Sequence, residues 1–213
     1  MKTRVSSVTG LSKIIPVLVI EDVAHAVPLA RCLVQNGLPV LEITLRSSAA
    51  LESIQAIMNE VEGAVIGVGS VLAPEQLEQI EKMGVAFGVS PGVSPNLFKA
   101  LKDSDLPFLA GGSTLSEVLT LREAGFMEQK AFPASVAGGI DYLKAVSGPV
   151  GDVSFCPTGG VKPANVLDYL ALDNVFAVGG TWIAPGDLVN KQDWDEIGRR
   201  AASASALVNK DKL

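Results

Sequence analysis

Two short stretches hold most of the side chains in this sequence that could do chemistry together. Glu128-Gln129-Lys130-Ala131-Phe132-Pro133 sets one lysine between apolar flanks, and Glu42-Ile43-Thr44-Leu45-Arg46 carries a carboxylate and a guanidinium. Side chains alternate along an extended chain, so Glu42, Thr44 and Arg46 share one face, and Glu128, Lys130 and Phe132 share another. A lysine in a dry pocket near a second cation such as Arg46 has its ammonium form disfavoured. It then presents a free amine, which forms a Schiff base with a carbonyl. Glu42, entering the same pocket, can shuttle protons. The planar fork of Arg46 suits a carboxylate, with Ser70 and Thr158 adding hydroxyl contacts. The plainer alternative is a structural ion pair of Glu42 with Lys130 or Arg46, because buried charges are costly unless paired or used.

Such a pocket needs elements that bring distant stretches to one place. Apolar runs read as strands at Ile14–Ile20, Val40–Leu45, Ala64–Val68, Val85–Val89, Pro107–Ala110, Met127–Phe132, Val153–Cys156 and Val175–Val178. Helical stretches follow each one: Asp22–Asn36, Ser48–Glu60, a helix opened by Pro74, Pro95–Leu101, Thr114–Ala124, Ile140–Val146, Pro163–Leu172 and Gln192–Val208. Strands apolar on both faces, recurring every 20 to 25 residues or so, indicate a parallel sheet covered by helices. One (β/α)₈ barrel domain over residues 1–213, with a short N-terminal lead-in, is the expected fold. A doubly wound open sheet is the alternative.

Reactive groups of a (β/α)₈ barrel gather at the C-terminal ends of its strands. The strand ends here read Glu42-Ile43-Thr44-Leu45-Arg46, Gly67-Val68-Gly69-Ser70, Ser90-Pro91-Gly92, Gly111-Gly112-Ser113-Thr114, Lys130-Ala131-Phe132-Pro133, Pro157-Thr158-Gly159-Gly160 and Gly179-Gly180-Thr181. The two diglycine loops follow strands seven and eight, the usual phosphate position of this fold, where glycine lets backbone N–H groups approach an anion.

Composition narrows the function classes. Net charge is −6 over 213 residues and no basic run is present, which argues against nucleic acid or an anionic membrane surface as a partner. With 48% hydrophobic and 19% charged residues the chain can bury a large core. No apolar run approaches the ~20 residues of a membrane span, and Met1-Lys2-Thr3-Arg4 does not open a secretion signal. A cytoplasmic protein is expected. Cys32 and Cys156, far apart, fit free thiols in a reducing compartment. No cluster of His, Cys and carboxylates has ligand spacing, so neither metal nor cofactor is expected.

Taken together and in this order, these motifs resemble one family. The chain is similar, from about Ile15 to its last helix, to the 2-keto-3-deoxy-6-phosphogluconate (KDPG) aldolases, also described as acting on 4-hydroxy-2-oxoglutarate (KHG). The likeness runs through Glu42 to Arg46, Gly69-Ser70-Val71-Leu72, Ser90-Pro91-Gly92, Lys130-Ala131-Phe132-Pro133-Ala134, Cys156-Pro157-Thr158-Gly159-Gly160 and Gly179-Gly180-Thr181-Trp182. It implies a class I aldolase with Lys130 as the Schiff-base lysine and Glu42 as acid and base. It implies Arg46, Ser70, Pro91, Phe132 and Thr158 around a pyruvate portion, and Gly159, Gly160 and Thr181 at a phosphate, to which the diglycine reading adds Gly179 and Gly180. A phosphorylated keto-acid substrate and a homotrimer are also implied.

The chain departs from the family pattern at five positions: Ser70 for Thr, Ala110 for Pro, Ala131 for Phe, Ser135 for Glu and Thr181 for Ser. Ser70 and Thr181 keep a hydroxyl. Ala131 points outward by alternation and bears on packing, whereas Ser135 bears on substrate preference. His25, Trp182 and Trp194 read as packing or surface groups, Asp173 and Asp193 as turn or helix-start residues, and Cys156 as a small buried hydrophobe. From the residues alone, a phosphate-binding isomerase using carboxylates or a metal, and a sugar-phosphate binder without turnover, stay open beside the lyase.

Overall fold

The computed structural model of the chain describes residues 2–10 and 12–208. Its strands are β1 (Ile14–Leu18), β2 (Val40–Thr44), β3 (Val65–Gly69), β4 (Phe87–Val89), β5 (Phe108–Gly112), β6 (Glu128–Ala131), β7 (Ser154–Pro157) and β8 (Val178–Gly180). They pair in the order β7-β6-β5-β4-β3-β2-β1-β8, parallel throughout. The end strands then meet through parallel bridges, Phe155 to Val175 and Thr158 to Gly179. This makes a nearly closed (β/α)₈ barrel, not the open doubly wound sheet, whose edge strands would stay apart.

The helices are α1 (Ser6–Thr9), α2 (Ala26–Gln35), α3 (Ala50–Glu60), α4 (Pro74–Met83), α5 (Pro95–Asp103), α6 (Leu115–Glu123), α7 (Gly139–Ser147), α8 (Val166–Leu170), α9 (Gly186–Asn190) and α10 (Trp194–Val208). Their ends follow from local chemistry. Pro74 opens α4, and Gly84, left-handed at φ 74°, closes it. At α6, Thr114 Oγ1 accepts from the Glu117 N–H while Glu117 Oε2 accepts from the N–H groups of Ser113 and Thr114, a reciprocal cap. The Ser113 N–H above all holds the Glu117 carboxyl below its ordinary range.

Alternation along the strands divides the core in two. Outward residues such as Leu41, Ile43, Ile66, Val68, Ala131, Phe155 and Val178 pack under the helices. A smaller inner cluster of Val5, Ile15, Val40, Phe87, Val89, Leu109, Cys156 and Ala177 fills the barrel. Gln129, outward and buried, donates to the carbonyls of Val118 and Phe126 at 3.0 Å each, tying β6 to α6.

The sequence-based reading misses two helices and shifts one strand. α1 and α9 span four and five residues, too few to show helical periodicity. The eighth strand is expected at Val175–Val178 but lies at Val178–Gly180, because the front of that apolar run bonds to β7 (Phe176 N to Phe155 O, 3.1 Å) and only its end joins β1. The helix after β7 is also shorter than expected, Val166–Leu170 in place of Pro163–Leu172.

Candidate active site

Lys130 sits near the C-terminal end of β6 and points into the barrel, where β2 lies diametrically opposite in the strand order. Its Nζ donates to Glu42 Oε1 at 2.8 Å and Oε2 at 3.1 Å. Both residues are 3% exposed, so this is a buried ion pair spanning the barrel. Gly69 on neighbouring β3 makes room for it: a Cβ there would lie 2.2 Å from Glu42 Oε1. The Phe132 ring stands 5.6 Å from Lys130 Nζ, within cation–π range. Phe132 is anchored by its carbonyl, which accepts from the Ser113 hydroxyl, and it is joined to Pro133 by a cis peptide.

This geometry corrects two expectations. The closest charge to Lys130 is the opposite charge of Glu42, 2.8 Å away, and not a second cation, which is the ion pair given above as the plainer alternative. Arg46 lies exposed at the rim, its Nε donating to Ser70 Oγ at 2.9 Å. Glu128 does face inward like Lys130, but it lies one strand pitch below. There it accepts from the Ser6 N–H at 2.8 Å and from the Ser6 hydroxyl, and so belongs to the barrel floor with α1 and Val5.

The remaining site residues line the same mouth. Ser70 holds a left-handed backbone, φ 60°, at the end of β3. Pro91 follows β4, partly buried, its carbonyl so close to Gly111 that a Cβ there would meet it at 2.3 Å. Thr158 is buried over Gly179; among the described residues its hydroxyl has no conventional hydrogen-bond partner, lying only beside the Cys156 sulfur. Gly159 and Gly160 adopt φ 92° and 84°, a conformation that L side chains rarely take. Gly179 and Gly180 are buried in β8, and Thr181 is exposed beyond them. The loops after β6 and β7 are joined by Ala134 N to Thr158 O, 2.8 Å, and Ser135 N to Gly159 O, 3.0 Å.

Three more side chains shape the site, none of them among the expected catalytic or binding residues. Ser113 anchors Phe132, and Ser90, buried, accepts from the Gly111 N–H at 3.3 Å. Cys156 pairs in register with Lys130 and lines the barrel just beneath it. Burial pushes its thiol up to about 12, the Lys130 charge pulling the other way. It is a neutral wall and not a nucleophile. All three stand in strand-end motifs of the sequence, and Cys156 is the small buried hydrophobe expected there; the sequence does not show which backbone groups Ser90 and Ser113 meet.

A hollow of about 680 Å³ between α4 and α5 is walled by Glu78, Glu81, Asp103 and Asp105, a poor environment for an anion. Among the described residues, no three His, Cys, Asp or Glu side chains gather as a metal site requires.

A family profile described as KDPG and KHG aldolase matches residues 5–200. The chain belongs to the KDPG and KHG aldolase family. It is 42% identical to the KHG/KDPG aldolase of Escherichia coli K12 over 203 residues, 95% of each chain. Among solved structures it is similar to the KDPG aldolase of Legionella pneumophila with pyruvate captured at low pH as a covalent carbinolamine intermediate. That likeness has a TM-score of 0.90, 37% identity, and covers 94% of this chain and 98% of the other. The Zymomonas mobilis ZM4 KDPG aldolase, solved with 3-phosphoglycerate, matches with a TM-score of 0.89, 41% identity and 95% of each chain. Two departures from the family pattern now have a place. Ala131 faces the helix-covered core, and Ser135 lies against Gly160, whose added Cβ would sit 2.1 Å from Ser135 Oγ.

Proposed function

We propose that this chain is a class I aldolase that cleaves KDPG to pyruvate and glyceraldehyde 3-phosphate, and KHG to pyruvate and glyoxylate, without a metal ion. The observation that carries this reading is the buried, hydrogen-bonded Lys130–Glu42 pair, a nucleophile and a proton acceptor in direct contact inside a barrel mouth. Membership in a family with a pyruvate carbinolamine in one of its structures supports it.

In the proposed sequence, Lys130 passes a proton to Glu42, and the freed amine adds to the C2 ketone to give a carbinolamine. Glu42 returns the proton to the departing hydroxyl, water leaves, and a protonated Schiff base remains. Glu42 then takes the proton of the C4 hydroxyl as the C3–C4 bond breaks. The bonding electrons pass into the iminium, giving an enamine, and the aldehyde departs. Protonation at C3 and addition of water release pyruvate and regenerate the amine. The iminium is the electron sink, which is why the scheme needs no metal.

The other residues take binding roles in this scheme. Arg46, steadied by Ser70, faces the substrate carboxylate, and the Thr158 hydroxyl supplies a further donor to the pyruvate portion. Phe132 and Pro91 flank it. The N–H groups of Gly159, Gly160, Gly179 and Gly180 with the Thr181 hydroxyl receive the phosphate, a reading supported by the phosphorylated ligand in the Zymomonas mobilis structure. A single domain over residues 1–213, a cytoplasmic location and a homotrimer complete the proposal; none of the described helices is long and apolar enough to cross a membrane.

Pyruvate release from KDPG tests the reading. Lys130→Met is expected to abolish it, and a chelator is expected to leave the wild-type rate unchanged. Turnover that survives Lys130→Met, or that chelation removes, would contradict it.

A further inference from the structure

We infer that Arg200 is a positioning residue for the phosphate loop: the Glu196–Arg200 pair of α10 holds the loop after β8 from behind and sets where Thr181 stands. The inference rests on the proposed phosphate role of Gly179, Gly180 and Thr181. Thr181 is exposed at the mouth, with Gly180 on one side in the β8 ladder with β1 and Trp182 on the other. Two contacts immobilise Trp182. Its ring packs so closely on Gly180 that an added Cβ would lie 1.7 Å away. Its carbonyl accepts from Arg200 Nη1 at 2.9 Å.

Arg200 can hold that carbonyl because its other edge is engaged. Its Nε donates to Glu196 Oε1 at 2.7 Å, one helical turn earlier, and the side chain is only 35% exposed. Glu196 is fixed in turn by the start of α10, where its N–H donates to Asp193 Oδ1 at 3.1 Å. One guanidinium therefore links a rigid helix to the backbone directly after Thr181. A lysine has a single donor head and cannot grip Glu196 and the Trp182 carbonyl in this forked way. The contacts described for Arg200 and Glu196 run to the Trp182 carbonyl and within α10, and Lys130 and Glu42 stand two strands away from β8 on either side, so the effect is expected at the phosphate end of the substrate.

The two substrates of the proposed reaction separate these effects, because KDPG carries a phosphate and KHG does not. With Arg200→Met, loss of one charge-assisted hydrogen bond is expected to raise the KM for KDPG about five- to tenfold. The kcat for KDPG and both parameters for KHG should stay within about twofold of wild type, and the unchanged KHG turnover also reports an intact fold. Arg200→Lys should behave like Arg200→Met, since it keeps the charge but loses the fork. Equal losses on both substrates would reduce Arg200 to a structural role and overturn the inference. So would a wild-type KM in Arg200→Lys, which would mean that charge alone matters. A wild-type protein that turns over neither substrate, or that handles KDPG no better than KHG, overturns the phosphate reading itself and the inference with it.

Discussion

At the scale of single residues, the central fact is that Lys130 and Glu42 are each other's only ion-pair partner among the described residues, in a dry interior. Removing one partner strands the other, a loss of about 3–5 kcal/mol for a buried pair. Lys130→Met should therefore destabilise the fold, and Glu42→Gln added to it should recover most of that loss while activity stays absent. Urea unfolding of the two variants checks this, and a double variant less stable than the single one would contradict it. Glu42→Gln alone should keep a folded barrel but lower the rate of pyruvate release by about 10²- to 10⁴-fold, the usual weight of a general acid–base group. Beneath the pair, Cys156 makes a prediction about pH. Its thiol titrates near 9.0 when exposed and about 12 in the folded barrel. A group with its folded value raised contributes stability that is complete below the lower figure and is lost as pH rises through the higher one. Unfolding free energy should fall from pH 9 toward 12, and Cys156→Ala should flatten that limb. Iodoacetamide should leave Cys156 unlabelled in the native protein at neutral pH.

At the scale of elements, α1 is the least expected part. Four residues long, it closes the barrel floor by placing Val5 in the inner core and Ser6 on Glu128. Ser6→Ala leaves the buried Glu128 carboxylate short of one donor, and a loss of about 1–3 kcal/mol is expected from thermal or urea unfolding, with kcat little changed. No loss would mean that the Ser6 backbone N–H suffices. Much of the strand pattern is legible in the sequence, because strands buried on both faces are apolar runs and the alternation of β2 and β6 turns Glu42 and Lys130 inward. What alternation does not give is depth along the barrel axis. Glu128 and Lys130 share a face, yet one meets α1 and the other meets β2, since a strand of four residues spans floor to mouth. The eighth strand is displaced for a similar reason: one apolar run serves two neighbours, β7 first and β1 after.

At the scale of the whole molecule, closure of the barrel is what turns two distant stretches into one site. Glu42 and Lys130 are 88 residues apart in sequence and meet only because β2 and β6 lie across a closed ring. The interior between them is narrow, and small residues keep it open: Gly69 beside Glu42, Gly179 under Thr158. Gly69→Ala should push the Glu42 carboxylate off Lys130 and depress kcat with little effect on overall secondary structure, which circular dichroism and pyruvate release would together register. The proposed homotrimer is tested separately by light scattering on the eluted protein, where a mass near three chains is expected and a monomer mass would contradict it.

The most direct test of the account is to trap the Schiff base. The protein is incubated with pyruvate, reduced with borohydride, digested and mapped by mass spectrometry. One stable pyruvate-derived adduct is expected on the Nζ of Lys130, absent from Lys130→Met. An unmodified chain, or an adduct on any other lysine, would contradict it.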